Sequence, residues 1–315
     1  MALSAIEPLK YECGWVNSIL VLRDNLKEIN FVIKQSQEHG VIDKEHKCGH
    51  CDNKCQLDSK RWVWRCQKKV AIGKQKAKKC NYSVAVFKGG WLSQAKVKAG
   101  DNLFFSGVYL DKIFTYEFIR REIGWTNNTI SDWCNFIREV LENYCEVVRK
   151  PIGGPGKTVE IDESKFGKRK YNKGRTVDGQ WVFGGICRET REFFAEPVLT
   201  RDREPLLAII KIYVFPGTTI ISDCWKAYYY LGIEGFDHQT VNHTYNFVDP
   251  ETGAHTNTIE RQWRSYKEWL PKFGRKKYHF RGYLARFYFL SRWKSLIDRY
   301  HHFMLAMAAL YPPTN

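Results

Sequence analysis

Three carboxylates in the second half of the chain have the types and settings that could hold a divalent cation. Asp162 lies in VEIDESKF, where Val159 and Ile161 alternate with Glu160 and Asp162 as on a β-strand. Asp223 ends a second apolar run, TTIISD. In α/β sheets ligands gather at strand ends, so two strands that each end in an aspartate mark a candidate site. On neighbouring strands the two carboxylates would repel, and either one keeps a proton or a cation bridges them. Oxygen ligands of this kind suit Mg²⁺ or Mn²⁺. The bland alternative for Asp162 and Glu163 is a solvated strand end bending into a turn.

The third carboxylate, Glu260, falls in NTIERQWRSYKEWL. There Ile259, Trp263, Tyr266 and Leu270 mark a buried helical stripe, and Glu260, Arg264 and Lys267 form an adjacent one at i, i+4, i+7. A helix packed on the sheet would aim Glu260 at the metal and lay Arg264 and Lys267 on a phosphate backbone. Asn257 with Glu260 three residues on also has the spacing of a capping box, which explains the glutamate without chemistry.

Cysteines suggest a second, structural metal. Cys48 and Cys51 in CGHC have the spacing with which two thiolates grip one tetrahedral Zn²⁺. Cys66 and Cys80 are the best second pair, separated by a lysine-rich insert; Cys55, His50 and His46 compete with them. Free thiols in a basic β-segment are the alternative. Lys68, Lys69, Lys74, Lys76, Lys78 and Lys79 would contact phosphates.

The elements that must position these groups follow from periodicity. Residues 1–47 hold one helical segment, about Val16–Ser36, with Ile19, Leu20, Leu22 and Leu26 on its apolar face. Residues 48–100 read as a zinc-ribbon-like DNA-binding domain. Residues 101–148 read as a helix-turn-helix: one helix with Ile113, Phe114, Phe118 and Ile119 on one side stops at Gly124, and a second runs over 129–144, where it could enter a major groove. Any αα-hairpin would have the same pattern. RKPIGGPGK, residues 149–157, reads as a linker. Residues 158–315 follow as a hairpin-rich α/β catalytic domain with strands TVEIDES, GQWVFGGIC, EFFAEPVL and TTIISD, helices REPLLAIIKIYV, CWKAYYYLG and TNTIERQWRSYKEWL, an irregular stretch 235–256 and a final aromatic helix from about Arg281. This order predicts a mixed sheet flanked by helices. The last helix, with Tyr283, Phe287, Tyr288, Phe289, Leu290 and Trp293 and then FMLAMAALY, is apolar enough either to complete the core or to form a subunit seam.

Composition narrows the class. Fifty Lys and Arg oppose 34 Asp and Glu, and fifteen of the basic residues against three acidic ones lie between Lys44 and Lys98. With aromatic residues at 15%, this balance points to nucleic acid. No run approaches the roughly 18 apolar residues of a membrane span, and the first residues lack the apolar core of a secretory signal. Ten cysteines in such a chain read as thiols or metal ligands in a reducing compartment.

EIDESKF, ISDCWKAY and GAHTNTIERQWRSYK, in this order, resemble the three catalytic blocks of DDE transposases of the IS1595/Merlin group, which carry the ISXO2-like transposase domain. The resemblance covers about residues 157–295 closely. It implies an RNase H-like catalytic fold in which Asp162, Asp223 and Glu260 hold two Mg²⁺ or Mn²⁺ ions, with Glu163 either behind these ligands or facing solvent. Lys267 fits the family's lysine seven residues after the glutamate, and Arg261 and Arg264 stand with it as DNA contacts. A zinc ribbon with one structural Zn²⁺ is common in the group, although its second cysteine pair is usually closer than Cys66 and Cys80. The implied activity is metal-dependent cleavage at transposon terminal inverted repeats and strand transfer into target DNA. The implied partners are double-stranded DNA and a second copy of the chain, at least a dimer on DNA, with no membrane. A domesticated RNase H-like nuclease or a catalytically silent DNA-binding regulator are the alternatives. The nucleus is the expected compartment for a eukaryotic Merlin-type protein, and the cytoplasm or nucleoid for a bacterial one.

Overall fold

The computed structural model describes residues 17–70, 78–111, 113–167, 179–242, 247–271 and 275–313. The chain divides into two compact units, one of residues 1–147 with 288–315 and the other of residues 148–287.

In the first unit, α1 (Ile19–Asn25) and α2 (Ile29–Glu38) replace the single helix expected over 16–36. Ser18 caps α1 through Val21 N–H, and the helix closes at Leu26. Only part of the expected apolar face is used: Leu22 and Leu26 are buried, whereas Leu20 is 75% exposed. The ribbon segment contains β1 (Gln56–Asp58), β2 (Val63–Arg65), β3 (Lys69–Val70), β4 (Lys78–Lys79) and β5 (Ser83–Ala85). Strands β1, β2 and β5 form one antiparallel sheet, and β3 with β4 a separate hairpin arm. Next come α3 (Ala99–Tyr109), α4 (Tyr116–Ile123) and α5 (Asn127–Val148). Thr115 caps α4 by accepting from Phe118 N–H, so Ile113 and Phe114 precede the helix instead of lining its face. Gly124 closes α4 in the left-handed region (φ 71°), as its position predicts.

The C-terminal helices are α8 (Phe280–Arg292) and α9 (Leu296–Leu310). Phe289 packs edge-on against Tyr144, Trp293 donates from Nε1 to Tyr144 Oη at 3.0 Å, and Tyr300 hydroxyl donates to Leu103 O. Phe303, Met304, Ala306 and Met307 are likewise buried within the chain. Of the apolar stretch expected either to complete the core or to form a subunit seam, Phe289, Leu290 and Trp293 and the buried residues of α9 are core of the first unit, whereas Tyr283 and Phe287 pack in the second.

The second unit is built on a five-stranded mixed sheet. Its elements are β6 (Ile152–Gly153), β7 (Thr158–Phe166), β8 (Gln180–Cys187), β9 (Phe193–Val198), α6 (Arg203–Tyr213), β10 (Val214–Phe215), β11 (Thr219–Asp223), β12 (Asp237–Val241), α7 (Asn257–Trp269) and the start of α8. The sheet order is β12-β11-β7-β8-β9. Strands β7, β8 and β9 form an antiparallel meander, and β11 and β12 run parallel to β7. This is the mixed α/β architecture expected of an RNase H-like domain. Three sequence readings change. Residues expected as a linker include β6, which pairs with β10 through Ile152 and Val214. The stretch CWKAYYYLG forms a 3₁₀ turn, Lys226–Tyr228, followed by further turns. The stretch read as irregular from 235 contains β12, an edge strand whose sequence DHQTV shows no apolar alternation.

Alternation along the strands divides the core between two faces. Val159, Ile161, Phe183, Phe194 and Ile220 pack with Leu206 and Ile210 of α6. Phe166, Val182, Ile186 and Ala195 pack on the other face with Ile259, Trp263 and Tyr266 of α7 and with Phe280, Leu284 and Phe287. Burying each such side chain contributes about 1.5–3 kcal/mol, which fixes α7 against the strand that carries Asp162.

Candidate active site and zinc cluster

Asp162 is the fifth of nine residues in β7, so it is not at the strand's end. It lies just past the end of the parallel β7–β11 pairing, which stops at Glu160 with Ile221. Continuing that register by two residues sets Asp223 level with Asp162, and equal register puts both side chains on the α7 face. Across β8, Asp162 pairs with Gly184. A Cβ at Gly184 would stand 2.7 Å from the Trp263 indole, so the glycine makes room for that ring. Trp263 then donates from Nε1 to Asp162 Oδ2 at 2.9 Å.

Electrostatics mark the same place. Burial, with the Glu163 and Asp223 carboxylates beside it, pushes the Asp162 carboxyl up to about 7. Burial raises Glu163 as well, and its carboxyl faces the buried Tyr228 phenol without a hydrogen bond of good geometry. Asp223 Oδ1 accepts from Trp225 N–H at 3.0 Å, which turns the chain at the end of β11.

Glu260 sits in the first turn of α7, exposed, and its Oε1 accepts from the buried Thr256 hydroxyl at 3.2 Å. Trp263 and Lys267 follow it along the helix. Burial lowers the Lys267 pKa, with Asp162 pulling the other way, and its ammonium lies 5.5 Å from the Phe166 ring centroid. Glu260 thus lies on the helix that brings Trp263 and Lys267 to Asp162, on the stripe of Lys267; among the described residues only the four cysteines below, and not the three carboxylates, are drawn together as one ligand cluster. Arg261 and Arg264 are exposed on α7.

The capping-box reading of Asn257 and Glu260 gives way to a different cap. The N-terminus of α7 has no side-chain cap of its own. Its orphan N–H groups at Thr258 and Ile259 are satisfied by Glu160 Oε2, at 2.8 and 2.9 Å. Glu160 is 0% exposed, and its Oε1 accepts from Arg188 Nε at 2.6 Å. Arg188 Nη2 also donates to His255 O at 2.6 Å and lies 3.0 Å from His255 Nδ1. Sequence reasoning alone misses Glu160, Arg188, His255 and Gly184. The one available signal is the parity of Glu160, which shares the Asp162 face of a strand too apolar to be solvated.

In the ribbon segment, the sulfurs of Cys48, Cys51, Cys66 and Cys80 lie within 4.8 Å of one another. The Cys48–Cys80 and Cys51–Cys66 separations are 3.6 Å each. Four thiolates about 2.3 Å from one tetrahedral Zn²⁺ would stand about 3.8 Å apart, so the set fits that ion. His50 N–H donates to Cys48 Sγ at 3.3 Å, as in a knuckle. The wide Cys66–Cys80 spacing is absorbed by the β3–β4 arm, with Cys80 N–H bonded to Lys68 O at 2.8 Å. Of the competitors, His46 is stacked on Tyr82 and bonded to its hydroxyl, His50 packs edge-on against Tyr82, and Cys55 is buried outside the cluster. Lys68, Lys69 and Lys79 are exposed, and Lys78 lies on β4. Lys74 and Lys76 lie outside the described residues.

No helix among the described residues is long and apolar enough to cross a membrane. Male abnormal protein mab-31 of Caenorhabditis elegans is 25% identical over 121 residues, 36% of this chain and 28% of that protein. The chain thus spans less than a third of that relative's length. The family model described as ISXO2-like transposase domain matches residues 142–292, which include β7, β11, α7 and all three carboxylates. Residues 142–292 of this chain are thus similar to the ISXO2-like transposase domain.

Proposed function

We propose that the protein is a DNA transposase that cleaves at transposon terminal inverted repeats and transfers the freed strand ends into target DNA, using Asp162, Asp223 and Glu260 as its metal-holding triad. The observation that supports this reading is the level placement of Asp162 and Asp223 on adjacent parallel strands, within the segment similar to the ISXO2-like transposase domain; burial and the neighbouring Glu163 and Asp223 carboxylates raise the Asp162 pKa there. A carboxylate group under such repulsion is stable in its ionised form only beside a cation. Divalent ions bound there, two per site, would supply an activated attacking oxygen and a stabilised leaving oxygen for in-line displacement at phosphorus. Trp263 orients Asp162 through its indole N–H. Arg261, Arg264 and Lys267 would hold the phosphates of the strand being cut.

DNA recognition is divided in this reading. Helix α5 enters a major groove of the terminal repeat, and the zinc-held ribbon adds phosphate contacts through its lysines. Two active sites acting on two ends require at least a dimer on DNA. A protein of this kind works in the nucleus of a eukaryotic host, or at the nucleoid of a bacterial one.

The test is incubation with Mg²⁺ and duplexes bearing the repeats of the element that encodes the chain. Nicking and strand transfer are expected from the unsubstituted protein and lost in Asp162→Asn, Asp223→Asn and Glu260→Gln, with repeat binding retained. Near-normal cleavage by any of the three variants removes that residue from the triad.

A further inference from the structure

Glu160 is a buried, ion-paired carboxylate that belongs to none of the metal ligands and takes no part in the chemistry proposed above. Two features make it more than a helix cap. First, it bridges elements: it sits on β7 two residues before Asp162, and through Oε2 it takes the N–H groups of Thr258 and Ile259, the two residues preceding Glu260. Its charge also lies at the positive end of the α7 dipole. Second, its other oxygen is tied to Arg188, which holds the residue just before the N-cap by the His255 carbonyl. Arg188 is anchored in turn, its own N–H bonded to Thr158 O on β7 at 2.9 Å. Thr256, between His255 and the helix, donates to Glu260 itself. Every residue from His255 to Ile259 except exposed Asn257 is therefore bonded, directly or through Arg188, either to the strand bearing Asp162 or to Glu260.

We propose that Glu160, Arg188 and His255 form a positioning clamp that sets where Glu260 stands relative to Asp162 and Asp223, and so governs how tightly the site takes a divalent cation. The inference rests on the metal-centre reading of the triad. A purely structural cap would affect only the melting temperature of the unit. A clamp changes the metal affinity of protein that is still folded.

The probe is Mn²⁺ alone, titrated into the full-length, zinc-loaded chain and followed by electron paramagnetic resonance, with thermal unfolding recorded on the same samples. Unsubstituted protein should bind Mn²⁺ and Asp162→Asn should not. Glu160→Gln keeps an oxygen acceptor for the helix but weakens the Arg188 link, and Arg188→Met removes that link. Each should weaken Mn²⁺ binding by about 10-fold or more, the range found when groups that orient metal ligands are removed. Arg188→Lys should not restore it, because an ammonium cannot span Glu160 and the His255 carbonyl as the guanidinium fork does. If a single substitution unfolds the unit by leaving one buried charge alone, the double variant Glu160→Gln/Arg188→Met, which removes both charges, is read in its place. Mn²⁺ affinity unchanged in a folded Glu160→Gln or double variant, while Asp162→Asn abolishes binding, overturns the clamp and leaves the metal centre standing. Binding that survives Asp162→Asn overturns the metal centre, and the clamp with it.

Discussion

Replacing Asp162 by Asn should stabilise the metal-free protein, and should do so more at high pH than at low. A carboxyl raised from its ordinary 3.8 to about 7 carries a cost on the order of 4 kcal/mol once it is fully ionised. The sign follows from proton counting. Between pH 4 and 7 the folded state holds this proton and the unfolded chain has released it, so stability is greatest at the acid end and falls as pH rises through that window. The fall is about 1.4 kcal/mol per pH unit and levels off above pH 7. Asparagine is neutral throughout, and it also relieves Glu163 and Asp223 of a like charge. Because the repulsion is shared among these groups, the gain at pH 8 should be about 2–4 kcal/mol, or roughly 5–10 °C in melting temperature. It should shrink towards zero near pH 4.5. Differential scanning fluorimetry across pH 4.5–8, without added divalent ions or chelator, reads this directly. Adding Mg²⁺ should close the gap by stabilising the unsubstituted protein alone. An Asn variant less stable than its parent at pH 8, or a gap that does not change with pH, would refute the electrostatic reasoning.

Cys48→Ser or Cys80→Ser should lose the metal from the ribbon and expose residues 48–98 to protease; elemental analysis should find one zinc per unsubstituted chain, and none would contradict the cluster's role. Replacing Lys68, Lys69 and Lys79 by Gln should weaken binding to all DNA and lower the slope of log affinity against log salt by about 0.9 for each phosphate no longer neutralised, while preserving preference for the repeat. Selective loss of repeat binding would show that the ribbon reads sequence. Deleting residues 303–315 removes Phe303, Met304, Ala306 and Met307, all buried in the first unit, and should abolish its cooperative unfolding by circular dichroism. A stable truncated chain would mean that this tail is dispensable to the core.

The parts of the fold legible in the sequence are those where side chains encode it. The strands of Asp162 and Asp223 are readable because their apolar residues alternate or run into an acid. The stop at Gly124 is readable because an L-residue there would be strained. The four clustered cysteines are readable from CGHC together with Cys66 and Cys80, which flank the lysine-rich arm. What stays hidden depends on backbone or on distant partners. Strand β12 holds its place by backbone pairing to β11, for which DHQTV carries no pattern. Leu20 is exposed because it lies two residues from buried Leu22 in α1, about 200° round the helix from it. The stretch from Trp225 looks helical in composition, but Asp223 takes the Trp225 N–H and a 3₁₀ turn follows. At the site, Asn257 and Glu260 have capping-box spacing, yet the cap comes from Glu160, about a hundred residues earlier. No local window contains both ends of that interaction.

That Asp162, Asp223 and Glu260 converge on a divalent cation is the claim on which the rest depends. Anomalous diffraction from crystals of the full chain soaked in Mn²⁺, collected on both sides of the manganese absorption edge, tests it without any assumption about the DNA substrate. The predicted result is a manganese peak ligated by Asp162 and Asp223, with Glu260 reaching it from the first turn of α7, and no such peak in Asp162→Asn crystals. Manganese bound elsewhere, or a peak that persists at the same place without the Asp162 carboxylate, would contradict it.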